Sequence, residues 1–183
     1  MTNTWTSWES RKDVTRQITA LGFPTVKAFQ LAMNVGNPLV ADGVPGRLTF
    51  LKALRCQQDG LVSAHFSVAE FRCPCCQQIW VHRTLLRGLE FLRQSASPRG
   101  LTIVSGCRCS RHNKAVGGAA DSMHLHGLAA DLEPKLLLRE VHAVRRFSGI
   151  GTWKGLVRHV DCRASWPAYV GTASPSEPAR WVY

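Results

Sequence analysis

Residues 105–131 read SGCRCSRHNKAVGGAADSMHLHGLAAD. The decisive part is its second half, where His124 is followed seven residues later by Asp131. Upstream, LTIVSG (101–106) is β-branched and short, as a strand is. Downstream, GLAADLEP (127–134) alternates Leu128, Ala130 and Leu132 against Asp131, so a strand there turns Asp131 to its polar face. A third strand, GLVRHVDCR (155–163), carries His159 and Asp161 on one side, separated by Val160. Residues 80–94 place Leu85, Leu89 and Leu92 at helical spacing, and 135–147 form a further amphipathic segment. These elements predict an α+β fold whose polar exceptions gather at strand ends.

A His, an Asp on a neighbouring strand and a distant His form a set suited to catalytic zinc. Imidazole nitrogen and carboxylate oxygen both ligate Zn²⁺, and three protein ligands leave a fourth position for water. Such an ion lowers the pKa of its water and polarises a carbonyl. The turn at His126-Gly127 can fold His124 back beside Asp131. The other histidines carry less signal: His126 reads as a turn residue, His112 as structural, and His65, His82 and His142 as packing. Asp121 and Glu133 read as solvated carboxylates.

The amino-terminal third reads differently. Residues 13–22 and 25–35 are short helices, the second with Thr25 as N-cap. A turn-rich stretch follows, then a third helix, RLTFLKALRC (47–56). Together they predict a three-helix bundle of marginal size, joined through 55–64 to the remainder.

Composition narrows the classes. The chain has 183 residues, 45% apolar and 19% charged, which excludes a disordered chain. No apolar run reaches the length of a membrane span, and residues 1–15 lack a secretory apolar core. Synthesis in the cytoplasm without a signal peptide is therefore expected, as is a monomer. The net charge is +11, with seven basic and three acidic residues in 1–58 and sixteen and nine in 59–183. Charge spread in this way suits any polyanion. Seven cysteines cluster as Cys73, Cys75 and Cys76, then Cys107 and Cys109, with Cys56 and Cys162 apart. Cys73, Cys76, Cys107 and Cys109 could form a four-thiolate structural zinc site, although one residue between the second pair and an unassigned Cys75 make the spacing imperfect.

Two resemblances organise these readings. Residues 8–56 resemble a peptidoglycan-binding domain through Val26-Lys27-Ala28-Phe29-Gln30, Asp42-Gly43-Val44-Pro45-Gly46, Thr49 and Ala53-Leu54. Residues 65–165, within a domain expected over 65–183, resemble the zinc D-Ala-D-Ala carboxypeptidase and L-alanyl-D-glutamate peptidase family. HFSVAEFRC, the 105–132 block and RHVDCR carry that likeness. It implies a small antiparallel sheet flanked by helices, of the hedgehog and D-Ala-D-Ala peptidase type. It assigns His124, Asp131 and His159 as ligands of one catalytic zinc ion, Arg108 to a substrate carboxylate or carbonyl, and Ser122 to a substrate hydrogen bond. Many members carry an acidic base three residues before the last His; here that position is Leu156, and Asp161 is the substitute expected.

The two modules together resemble a phage endolysin that cuts a peptide bond in the wall, with peptidoglycan and the anionic envelope as partners and no specific nucleic acid. Two alternatives belong to other classes. One is a non-catalytic zinc-holding wall binder, as in the distantly related hedgehog signalling domain. The other is a basic zinc-containing nucleic-acid module.

Overall fold

The computed structural model describes residues 8–33, 39–97 and 100–183. Three helices come first: α1 (Trp8–Ala20), α2 (Val26–Ala32) and α3 (Arg47–Asp59). Thr25 caps α2 by accepting a hydrogen bond from the Ala28 amide at 3.0 Å. The end of the expected second helix, at residues 34–35, lies outside the described residues. The motif residues of this region converge on one buried side chain. Gln30, 2% exposed, donates to Asp42 Oδ1, the Val44 carbonyl and Thr49 Oγ1, and accepts from the Gly43 amide at 2.8 Å. The Asp-Gly turn is thus tied to both flanking helices by one amide, which satisfies groups that would otherwise be buried unpaired.

The helix α4 (Arg83–Ala96) begins where the His82 ring nitrogen Nδ1 accepts from the Thr84 amide at 3.2 Å. His82 therefore caps a helix rather than simply packing. Leu85, Leu86, Leu89 and Leu92 are fully buried along one stripe. Burial of each contributes about 2 kcal/mol.

Five strands follow: β1 (Thr102–Ser105), β2 (Ala129–Leu137), β3 (Gly149–Trp153), β4 (Leu156–Asp161) and β5 (Ala179–Val182). Two short helices, α5 (Ser110–Ala115) and α6 (Leu138–Ala143), sit in the connections. The sheet order is β1-β2-β4-β3-β5. The first four strands pair antiparallel, but β5 joins β3 in parallel. The sheet is therefore mixed, not purely antiparallel, because the chain returns from residue 178 along an unpaired strand edge. Residues 135–137, expected in a helical segment, continue β2, and α6 is one short turn pair beyond them.

A continuous cluster of buried apolar residues runs from Val14 and Ile18 in α1 to Val160 and Cys162 beside β4. The first helices are also bonded to the segment around the clustered cysteines. Arg72 donates to the Leu21 carbonyl at 3.0 Å, and the Ile79 amide donates to the Gly22 carbonyl at 2.8 Å.

Candidate metal centre and cleft

Strand register builds the centre. Ser105 lies opposite Asp131, Asp131 opposite His159, His159 opposite Gly151, and Gly151 beside Trp181. Residues facing one another across neighbouring strands share a sheet face, so one row of five strands presents Asp131 and His159 together. Ala130 and Val160, their neighbours in sequence, are fully buried on the opposite face.

His124 reaches the row from a short 3-10 helix, Met123–His126. That turn closes at Gly127, whose φ of +65° disfavours any side chain; a β-carbon there would also lie 2.5 Å from the Trp80 carbonyl oxygen. Donor atoms of His124, Asp131 and His159 all lie within 4.8 Å of one another. His159 Nδ1 is 3.0 Å from Asp131 Oδ1 and 3.2 Å from His124 Nε2.

The ring orientations are fixed from outside. His124 Nδ1 faces the Gly106 carbonyl, which only accepts, so Nδ1 carries the proton and Nε2 offers its lone pair to the cluster. His159 Nε2–H donates to Asp161 Oδ2 at 3.3 Å, leaving Nδ1 for the cluster. Asp131 directs Oδ1 to the imidazoles while Oδ2 pairs with Arg108. Two neutral imidazole nitrogens and one carboxylate oxygen form a donor set that fits zinc, with outer partners holding each ligand.

Electrostatics favour the ligating forms of His124 and Asp131. Burial pushes the His124 pKa down, which favours the neutral, ligating form. Burial opposes charge on His159 too, but its hydrogen bonds to Asp131 and Asp161 prevail and raise its pKa, so a metal ion at Nδ1 takes the place of a proton. Asp131 is held well below the usual carboxylate range: burial works against this, and both histidines outweigh it.

Asp161, the base expected from the sequence, sits between His159 and Arg163. It is 0% exposed and lies on the Nε2 side of His159, away from the edge that faces His124 and Asp131. Both its oxygens are bound by Arg163, with Nη2 at 2.6 Å and Nε at 3.0 and 3.2 Å, and the Arg163 amide adds a contact at 3.0 Å. Despite burial, His159 and Arg163 bring its pKa down to about 2. A carboxylate so stabilised and so enclosed orients an imidazole; it has no free lone pair directed at a reacting water. This placement favours Asp161 as the orienting partner of His159 over the expected role of base.

The triad borders a cleft of about 1110 Å³ whose lining includes Ser122, Arg108, Trp153, Trp181 and Tyr183. Arg108 is partly committed, with Nε on Ser105 Oγ at 2.9 Å and Nη2 on Asp131. His126 faces away from the triad and stacks on Trp166, ring centroids 4.3 Å apart. Sequence reasoning missed Gly149 and Gly151, and it marked Trp181 and Tyr183 only as part of a tail against the catalytic domain, without a role at the cleft. The alternating glycines of GIGTW were the available signal, because a β-carbon at Gly151 would lie 2.8 Å from both the Trp181 and Tyr183 rings.

The chain is similar to the zinc D-Ala-D-Ala carboxypeptidase of Streptomyces albus G, 31% identical over 121 residues covering 60% of this chain and 47% of that relative. The chain thus spans about half the length of the curated relative it matches. Residues 50–162 match the peptidase M15 family. That match covers more than half the chain and includes every residue of the triad, and the chain belongs to the peptidase M15 family.

Proposed function

We propose that this chain is a zinc peptidase that hydrolyses a peptide bond in the stem or cross-link of peptidoglycan. The observation that carries the reading is the convergence of His124, Asp131 and His159 at the edge of an open cleft. Bound there, zinc would supply Lewis acidity toward a peptide carbonyl and a water acidified to near neutral pH. The Gly106 carbonyl and Asp161 hold the two imidazoles in their ligating orientation. Arg72, Arg108, Arg158 and Arg163 line the cleft, a basic wall suited to a substrate bearing free carboxylates. Arg108 takes such a carboxylate or the scissile carbonyl with the guanidinium N–H groups left over from Asp131 and Ser105, and Ser122 donates a positioning hydrogen bond.

Four carboxylates line the cleft: Glu70, Asp121, Asp131 and Asp161. Glu70 accepts from Ser67 and the Ile103 amide, and Asp131 and Asp161 are bound as described. Asp121 is the exposed one and takes the role of proton acceptor. The helices at 8–56 supply wall binding in this reading, and the +11 charge favours encounter with an anionic envelope.

Purified sacculi test the proposal. Chelated protein is expected to be inert, and zinc-reloaded protein to release peptides whose masses identify the bond. Equal digestion in both states would overturn zinc dependence. Zinc-loaded protein that sediments with sacculi yet releases nothing would establish the non-catalytic binder, for which Leu156 in the expected acidic position is the favouring observation.

A further inference from the structure

A second set of metal donors lies outside the triad. The Sγ atoms of Cys73, Cys76 and Cys109 lie within 4.8 Å of one another. Cys107, expected in this set, is not part of it: its thiol donates to the Phe71 carbonyl at 2.9 Å, and burial pushes its pKa up to about 12. Cys75 lies beside these three rather than among them, next to Cys109 and with its Sγ accepting from Arg111 Nε at 2.9 Å.

The backbone around these sulfurs is arranged for thiolates. The Cys109 amide donates to Cys73 Sγ at 3.4 Å, the Cys75 and Cys76 amides also point at Cys73, and the His112 amide donates to Cys109 Sγ at 3.4 Å. Amides directed at sulfur stabilise its anion. Zn–S bonds of about 2.3 Å give a tetrahedron with sulfur–sulfur edges of about 3.8 Å, so closing the set needs a contraction of about 1 Å.

We propose that Cys73, Cys76 and Cys109, with Cys75 as fourth donor, bind a structural zinc ion separate from the His124–Asp131–His159 centre. Ion binding replaces the thiol protons, which pass to solvent. Its effect is to staple the 73–76 loop to the turn before α5, immediately after Arg108. Arg72 and Pro74 on one side and Arg108 on the other line the cleft, so the ion fixes the distance between two parts of its wall. The inference stands whether or not the chain cuts peptidoglycan.

The test is metal content and spectroscopy on the full, reduced chain. A second zinc equivalent is expected, released by a mercurial thiol reagent. Cobalt substitution is expected to give a near-ultraviolet thiolate-to-metal charge-transfer band. That band should persist in the His124→Ala/His159→Ala protein and in Cys107→Ser, and disappear in Cys73→Ser/Cys76→Ser. Absence of the band in the unaltered chain, which needs no variant to fold, would overturn the proposal. So would a full zinc complement in the double Cys variant, or a disulfide among these four residues in anaerobically purified protein. Loss of the His/Asp-bound zinc alone would count against the proposed peptidase and leave the thiolate site standing.

Discussion

The indole of Trp181 lies against the imidazole of His159, with ring centroids 5.2 Å apart and planes tilted by 58°. The Arg163 guanidinium also sits over that indole, 4.8 Å from its centre. Since Arg163 binds Asp161 and Asp161 binds His159, the last strand completes a closed set of contacts around one imidazole. Trp181→Ala is expected to lower zinc-dependent digestion by about tenfold, a typical cost of losing support around a metal ligand. Trp181→Phe should retain most activity. Digestion rates on sacculi for the two variants check this, and equal rates for Ala and the unaltered chain would reduce β5 to a passive edge.

Asp161→Asn separates positioning from proton transfer. An orienting carboxylate that is removed weakens metal binding about 10–100-fold, and competition with a chromophoric chelator measures that affinity directly. If affinity is unchanged while turnover collapses at saturating zinc, Asp161 acts on the substrate water after all. Asp121→Asn is the converse case: zinc affinity is expected to hold and turnover to fall by about 10²-fold or more.

Much of this centre was legible in the sequence because strand alternation and spacing are local. Asp131 and His159 each occur in a short alternating run, and that pattern fixes which face they share. The partnership of Asp161 with Arg163 is also local, two residues apart, yet whether its carboxylate points to water or into the sheet depends on Gly149, opposite it on a strand that the sequence did not reveal. β5 was illegible for a different reason. A four-residue edge strand reached after a Pro- and Ser-rich excursion has little periodicity of its own, and its pairing is set by the free edge of β3. The cysteines show a third limit: pairing neighbours in sequence drew in Cys107 despite imperfect spacing, and only the fold shows its thiol turned onto the Phe71 carbonyl.

Gly149 supplies a steric test of the same arrangement. A β-carbon there would lie 2.3 Å from both Asp161 carboxylate oxygens, in a fully buried site where the Arg163 grip leaves no room to retreat. Gly149→Ala is expected to destabilise the fold by about 1–3 kcal/mol, as overpacking does, and to weaken zinc binding with it. Chemical denaturation and zinc titration on one preparation read both. Gly155→Ala makes a contrasting control, because no atom lies within 4 Å of a β-carbon there and only its φ of +77° resists.

Gln30 holds the amino-terminal helices to their connecting turn. Gln30→Leu would leave Thr49 Oγ1 and the Gly43 amide without the partner they now share, at a cost of about 2–3 kcal/mol. If these helices also bind the wall, sacculus binding should fall in step with their unfolding while zinc affinity at the triad persists. Circular dichroism melting and sedimentation with sacculi, measured together, check the pairing.

Glu90 gives the fold a defined response to acid. Its side chain projects from helix α4, 9% exposed, accepting the His65 amide at Oε1 (2.9 Å) and facing His65 Nδ1 at Oε2 (2.6 Å). Burial acts to raise its pKa, and the His65 contacts outweigh burial and lower it. The folded-state value is below the unfolded one, so the unfolded chain binds a proton first as pH falls. Stability from this contact is therefore complete above the unfolded carboxylate value of about 4.3 and is lost as pH drops through the folded value. Glu90→Gln is expected to destabilise by about 1.5–3 kcal/mol near neutral pH, the range for a hydrogen bond to a charged group. The gap between the two proteins should close in acid, where the native carboxyl is itself protonated. Urea melts of both proteins across that range check the sign, and a gap that widens toward low pH would place the His65 contact on the protonated form instead.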